Sequence, residues 1–600
     1  MKMAPMRRPV PAALLLAALV AGAAVGARAP GGRGRHGPAE RPEHEEGRAK
    51  RARALASSLL RTAPARLSTL SPEGESRGYD VLTYDLAFSL DPAVAFLEGR
   101  AAVRLVSLRA GLDAVRLDLD DSMTVRSVER DGAPLPSFTA GNGLLVIPLD
   151  PPLGAEERTT LVVKWDGAPR SGGALTYWSA PSSGPALSSL AEPFDAPTFW
   201  PCVDDPADKA VATVAVTVPR GYVAASAGLG SSAPTDDGRV TFTWRLPQPI
   251  SSYLVSVAVA RYEAISAEYR SLDGTRSMPV VGYVVPEHAE INRPRVAAMV
   301  RHIEVLAGLF GEYPYLDTKY AIAEGSFSGG MEHPTITLIG ASLLGNASRD
   351  LTSLLVHELA HMWWGDEVTM RTWDDVWLNE GFATYSEVLY YERSAGLSPG
   401  RTMSSYYDDG LYSGQLGPRV VAPPLDPFRY TGAVYDKGGW VLHMLRRRVG
   451  DDAFFAALRE YRKRFARGNA TRGDLRALFE ELSGRGLKQF FDQWVETPYR
   501  PVLRATYRNV GGGLVEVRVR QVQAHAVSHP SAGPDDAPHY VFPLALRLFS
   551  PTGASSSALV EVTKADETFT LPGPGGAGAS GLTLDPDGDL LKVVESVGPG

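Results

Sequence analysis

The chain has 600 residues, too many for one core when domains usually run about 100–200, so about two to four domains are expected. It is 44% hydrophobic, 22% charged and 9% aromatic, with a net charge of -7 and a mean hydropathy of -0.10. Those values exclude wholesale disorder, a generally basic nucleic-acid binder and a polytopic membrane protein. The single cysteine, Cys202, excludes an intramolecular disulfide and a Cys-rich metal site.

The N-terminus reads as a targeting segment. Arg7 and Arg8 form a positive n-region, residues 12–25 an uncharged run of Ala, Leu and Val, and Ala27-Arg28-Ala29 an A-x-A cleavage site. Residues 1–29 are therefore expected to be a signal peptide for export to the periplasm or the medium. The apolar run falls short of the roughly 20 residues that span a bilayer, and membrane tethering is expected only if the segment stays uncleaved. Residues 30–76, rich in Gly, Pro, Arg, Ala and Glu, read as a disordered linker.

From Tyr79 the texture changes. Strand-like runs at 79–88, 101–106 and 115–119, with further short runs to 253–259, mark 77–265 as an all-β domain. Around Pro294 the period shifts from two to about 3.6. Helical patterns, including long ones at 438–465 and 473–482, continue to about Trp494 and define a mainly helical domain over 266–500. Strands return after Pro501, at 502–507, 514–521, 541–548 and 558–562, so 501–600 is read as a C-terminal β-sandwich. The expected class is multidomain α+β. Only ten of the 61 basic residues are lysines, which reads as codon bias.

The informative segment is HELAHMWWGDEVTMRTWDDVWLNEGFATYSE. His357 and His361, four apart, lie on one helix face and can share one metal ion. Their helix shows an apolar stripe of Leu351, Leu354, Leu355 and Leu359, with Ser348 the expected N-cap. Glu358 sits about 100° round the helix from His357, beside the metal but not aimed at it, as a general base should be. With 11 histidines in the chain the pairing is hard to reach by accident. Eighteen residues further on, Glu380 opens a second patterned helix through Tyr390. Two histidines and a carboxylate give one zinc ion three protein ligands and leave a position open, the catalytic and not the structural arrangement.

With these residues the sequence resembles the zinc aminopeptidases of the gluzincin clan, the family of aminopeptidase N and leukotriene hydrolase. The resemblance implies a saddle-like N-terminal β domain, a thermolysin-like catalytic domain and a small β-sandwich, here without the large helical C-terminal domain of many members. It carries the family's ligands and base onto His357, Glu358, His361 and Glu380. Gly329-Gly330-Met331-Glu332-His333 resembles the exopeptidase signature G-x-M-E-N, with His333 where Asn is usual. The resemblance gives Glu332 the substrate's α-amino group, and the Gly-rich backbone close approach to the peptide. Tyr435-Asp436-Lys437-Gly438 matches Y-x-K-G, whose tyrosine donates to the oxyanion of the tetrahedral intermediate. Counting back from Pro201, in a segment resembling F-P-C-x-D-E-P, Glu192 falls where relatives hold the amine, and Leu190 replaces a usual Gln. Cys202 then belongs to a packing motif. Asp366 replaces the usual Asn, and Asp375 is a candidate partner for a histidine ligand. His302 and His443 read as ordinary surface or core residues.

The sequence thus predicts an exported zinc aminopeptidase acting on peptides with free N-termini, monomeric and without nucleic-acid partners. A gluzincin endopeptidase, or a catalytically silent peptide-binding protein on the same fold, is the alternative.

Overall fold

The computed structural model describes residues 77–406, 418–423, 425–523 and 539–600. The signal-peptide and linker readings lie outside these residues. No helix among the described residues is long and apolar enough to cross a membrane.

The N-terminal part is built of strands because its sequence alternates. Ala210–Val218, AVATVAVTV, buries every second residue. It lies inside an eight-stranded sheet, parallel to Tyr79–Asp91 and antiparallel to Val240–Ile250. A three-stranded sheet (Leu112–Asp118, Leu144–Leu153, Thr139–Gly141) and a four-stranded sheet complete this region. The four-stranded sheet contains the hairpin of Leu175–Ala180 and Gly184–Ser189, whose second strand leads directly to Glu192.

A five-stranded sheet follows, in the order Glu263–Arg270, Ser277–Val284, Tyr320–Gly325, Ile336–Gly340, Gly330–Met331. Its first strand runs across positions 265 and 266, where the sequence suggested a domain boundary. That strand pairs with Ser277–Val284 and so belongs with the metal-motif half of the chain. The two-residue strand Gly330–Met331 is its edge.

Helices Ala289–Phe310 and Thr352–Ala360 pack against this sheet, and Trp377–Ala395, Gly438–Val449, Asp451–Phe465 and Arg472–Ser483 pack in turn on helices. Two differ from the sequence expectation. The 438–465 pattern is broken at Gly450, which takes φ 87, a conformation glycine adopts without strain. The histidine helix begins at Thr352, with Leu351 and not Ser348 at its N-cap. The N–H and hydroxyl of Thr352 donate to Asp350 Oδ1, so the chain makes one more turn before the helix starts. The hydroxyl and N–H of Ser348 go to Asn346 Oδ1 instead.

Two further sheets end the chain. One has the order Asp566–Pro572, Leu514–Gln521, Val502–Gly511, Val593–Pro599, and the other Ser555–Val562, Phe542–Phe549, Gly581–Leu584. Buried apolar residues form one continuous cluster from Tyr79 to Leu591. The parts therefore share their core. Cys202 lies buried within it, its backbone bridged to Asp118.

Candidate active site

His357 and His361 are presented one turn apart, with ring centroids 5.0 Å from each other. His361 is the C-cap of helix Thr352–Ala360 and keeps helical dihedrals there. Glu380 lies in the first turn of Trp377–Ala395, which starts three residues before it. His357 Nε2 is 3.1 Å and His361 Nε2 3.4 Å from Glu380 Oε2.

The outer nitrogens are engaged. His357 Nδ1 donates to Glu387 Oε1 at 2.8 Å, and His361 Nδ1 donates to the Trp364 carbonyl at 3.0 Å. A backbone carbonyl only accepts, so neutral His361 carries its proton on Nδ1 and presents an Nε2 lone pair to a carboxylate. Two imidazoles and a buried carboxylate converging within 4.8 Å can hold a metal ion between them, and the set fits zinc. Sequence reasoning missed Glu387. It stands seven residues after Glu380, two turns along the same helix face, and Ser353 Oγ donates to its other oxygen. Asp375 is not a histidine partner. It is taken by Arg472, through Nη1 at 2.9 Å and the backbone N–H at 3.0 Å.

Around this centre the other predicted residues gather. Glu332, Glu358 and His361 offer atoms within 4.8 Å of one another, and so do Glu192, Glu332 and Glu380. Glu332, Glu358 and Glu380 are fully buried, Glu192 nearly so. Gly329 takes φ 117, and Gly330 lies against the base: a Cβ there would sit 2.4 Å from the Glu358 Cδ. Gly330 thus makes room for Glu358. Met331 is buried beside them.

Tyr435 sits in a π-helical turn, Ala433–Lys437, and its ring stacks on His357 with centroids 5.9 Å apart. Burial, then Glu380, Glu192 and Glu332, push its phenol well above the ordinary value, so it stays a proton donor. Burial pulls His333 down to about 3, leaving a neutral ring with no hydrogen-bond partner among the described residues. Burial, then Glu332, push the Asp366 carboxyl well above the carboxylate range, and its oxygens likewise have no hydrogen-bond partner among the described residues.

Comparison with known proteins bears on this arrangement directly. Residues 81–254 match the peptidase M1 N-terminal domain and residues 296–494 the peptidase family M1 domain, together more than half of the chain. The chain belongs to peptidase family M1. This M1 chain is 26% identical to "Probable aminopeptidase 1" of Sulfurisphaera tokodaii over 438 residues, 70% of this chain and 53% of that protein. It is 28% identical to the M1 zinc metallopeptidase of Deinococcus radiodurans, with a TM-score of 0.61 over 71% of this chain and 95% of that one. Aminopeptidase A of Legionella pneumophila shares the fold, at 18% identity and a TM-score of 0.73, over 87% of this chain and 60% of that one. The M1 chain spans between 34% and 53% of the length of the first curated relatives it matches.

Proposed function

We propose that this chain is an exported zinc metalloaminopeptidase that removes single residues from peptide N-termini. The observation that carries the reading is the cluster of His357, His361 and Glu380, with Glu358 and Glu332 gathered at His361 and Glu332 and Glu192 gathered at Glu380. Bound zinc would supply Lewis acidity, polarising the scissile carbonyl and bringing a water's pKa to about 7. Glu358 takes the water's proton and passes it to the leaving amine. Tyr435, held protonated, donates to the oxyanion of the tetrahedral intermediate. Glu332 and Glu192 bind the substrate's ammonium and fix the cleaved bond one residue from the N-terminus.

Glu358→Gln is expected to retain zinc and lose hydrolysis of aminoacyl reporters by about 10²–10⁴-fold. A variant with wild-type turnover removes Glu358 as the base. N-acetylated peptides should resist the enzyme, because they offer no ammonium to Glu332. Equal cleavage of blocked and free peptides would make it an endopeptidase.

The N-terminal sequence, with Arg7, Arg8 and the run at 12–25, supports export, which sequencing the N-terminus of the exported protein tests. The two C-terminal sheets, with their alternating buried residues, support reading 501–600 as a β-sandwich.

A further inference from the structure

The turn behind the metal centre is where the two halves of the chain meet. After His361 the backbone folds back at once: Asp366 N–H donates to the His361 carbonyl at 3.0 Å and Gly365 N–H to the Val368 carbonyl at 2.8 Å. This turn presents the Trp364 carbonyl to His361 Nδ1. After the Gly365 carbonyl, which accepts from the Thr369 hydroxyl, come the carbonyls of Asp366 and Glu367. Both accept from one ammonium, Lys209 Nζ, at 3.0 and 3.1 Å. Lys209 comes from the other half of the chain, immediately before strand Ala210–Val218 of the eight-stranded sheet.

Lysine makes contacts of this kind at three places. The chain has ten lysines among 61 basic residues, and among the described residues most ion pairs are made by arginine. Three of the ten donate to pairs of main-chain carbonyls. Besides Lys209, Lys319 Nζ reaches the carbonyls of Ser226 at 2.8 Å and Gly228 at 2.6 Å. Lys437 Nζ reaches those of Pro418 and Thr497, both at 3.1 Å. A compact ammonium aims its donors at two neighbouring carbonyls, whereas the planar guanidinium fork matches carboxylates.

We propose that Lys209 is a positioning residue for the metal centre, supplied by the N-terminal β region. By holding the Asp366 and Glu367 carbonyls it fixes the turn that keeps the Trp364 carbonyl on His361 Nδ1. The imidazole is then held with Nε2 aimed at the metal position. The inference rests on reading His357, His361 and Glu380 as a zinc site.

The test compares Lys209→Met with Lys319→Met, a strap of the same kind elsewhere between the same two regions. Zinc affinity is measured by equilibrium competition with a chelator, folding by circular dichroism, and kcat and KM with an aminoacyl reporter. Lys209→Met is expected to weaken zinc binding about 10–100-fold with KM nearly unchanged, and to regain activity in excess zinc. Lys319→Met is expected to lower Tm and keep wild-type zinc affinity. Should Lys209→Met not fold, Lys209→Gln, which retains an amide donor, carries the same comparison. A folded Lys209 variant that holds zinc as tightly as wild type overturns this inference alone. Equal loosening of zinc by Lys319→Met overturns it as well, because the effect would then be general loosening. A wild-type chain that binds no zinc overturns the reading of the site together with this inference.

Discussion

At the scale of single residues, His357 is held from both sides. Glu380 faces its Nε2 and Glu387 accepts from its Nδ1. The ligand triad was legible in the sequence because a spacing of four is a statement about one helix face. Glu387 follows the same logic seven residues after Glu380, yet its role depends on how two helices cross, which no local pattern states. Asp375 shows the converse error: an acidic residue near the ligands in sequence is claimed by Arg472 in space. Glu387→Ala frees the His357 ring to rotate and removes the acceptor that makes its Nε2 more basic. Zinc affinity should fall about 10–100-fold, read by chelator competition. Glu387→Gln, which can still accept from Nδ1, should lose less. Unchanged affinity in the alanine variant would show that Glu380 and the helix alone orient the ring.

At the scale of elements, the site depends on how closely helices Trp377–Ala395 and Gly438–Val449 approach. The first carries Glu380, and the second continues from the turn bearing Tyr435. They touch backbone to backbone. A Cβ on Gly381 would lie 2.9 Å from the Gly438 Cα and carbonyl carbon, and one on Gly438 3.0 Å from the Gly381 Cα. Neither glycine could be assigned this purpose from sequence, because the contact exists only after the helices pack. Gly→Ala in a helix interior normally stabilises by up to about 1 kcal/mol. Here the methyl must push two backbones apart, at about 1–3 kcal/mol, and moves Glu380 relative to Tyr435. Gly381→Ala should therefore lower Tm by a few degrees in a thermal melt and lower kcat at least about 10-fold. A variant that melts higher and turns over normally would show that the seam has slack.

At the scale of the whole molecule, the changes of hydrophobic period outlined the β, helical and β parts, because each period reports one kind of element. Where the parts join was not legible. The strand Glu263–Arg270 crosses the expected boundary, and the core runs continuously through all parts. One such junction joins the C-terminal part to the helix after Tyr435. Asp589 accepts from His443 Nε2 at 3.1 Å and pairs with Arg447 at 3.0 Å, while His443 Nδ1 is 3.1 Å from the Tyr385 hydroxyl on the helix of Glu380. His443 is 1% exposed, so removing its acceptor leaves a buried donor unpaired. Asp589→Ala should cost about 1–3 kcal/mol, seen as a lower Tm, and Asp589→Asn, which still accepts from His443, less. Burial alone would raise the Asp589 carboxyl, but the His443 hydrogen bond and the Arg447 charge outweigh it and hold it below the ordinary value. Its folded pKa is thus depressed, so the ionised pair contributes fully above about pH 4 and fades as pH falls through the folded value. The Tm gap between wild type and Asp589→Asn should accordingly be constant near neutrality and close in acid. A gap that persists unchanged well below pH 3 would mean that shape, not charge, makes the junction.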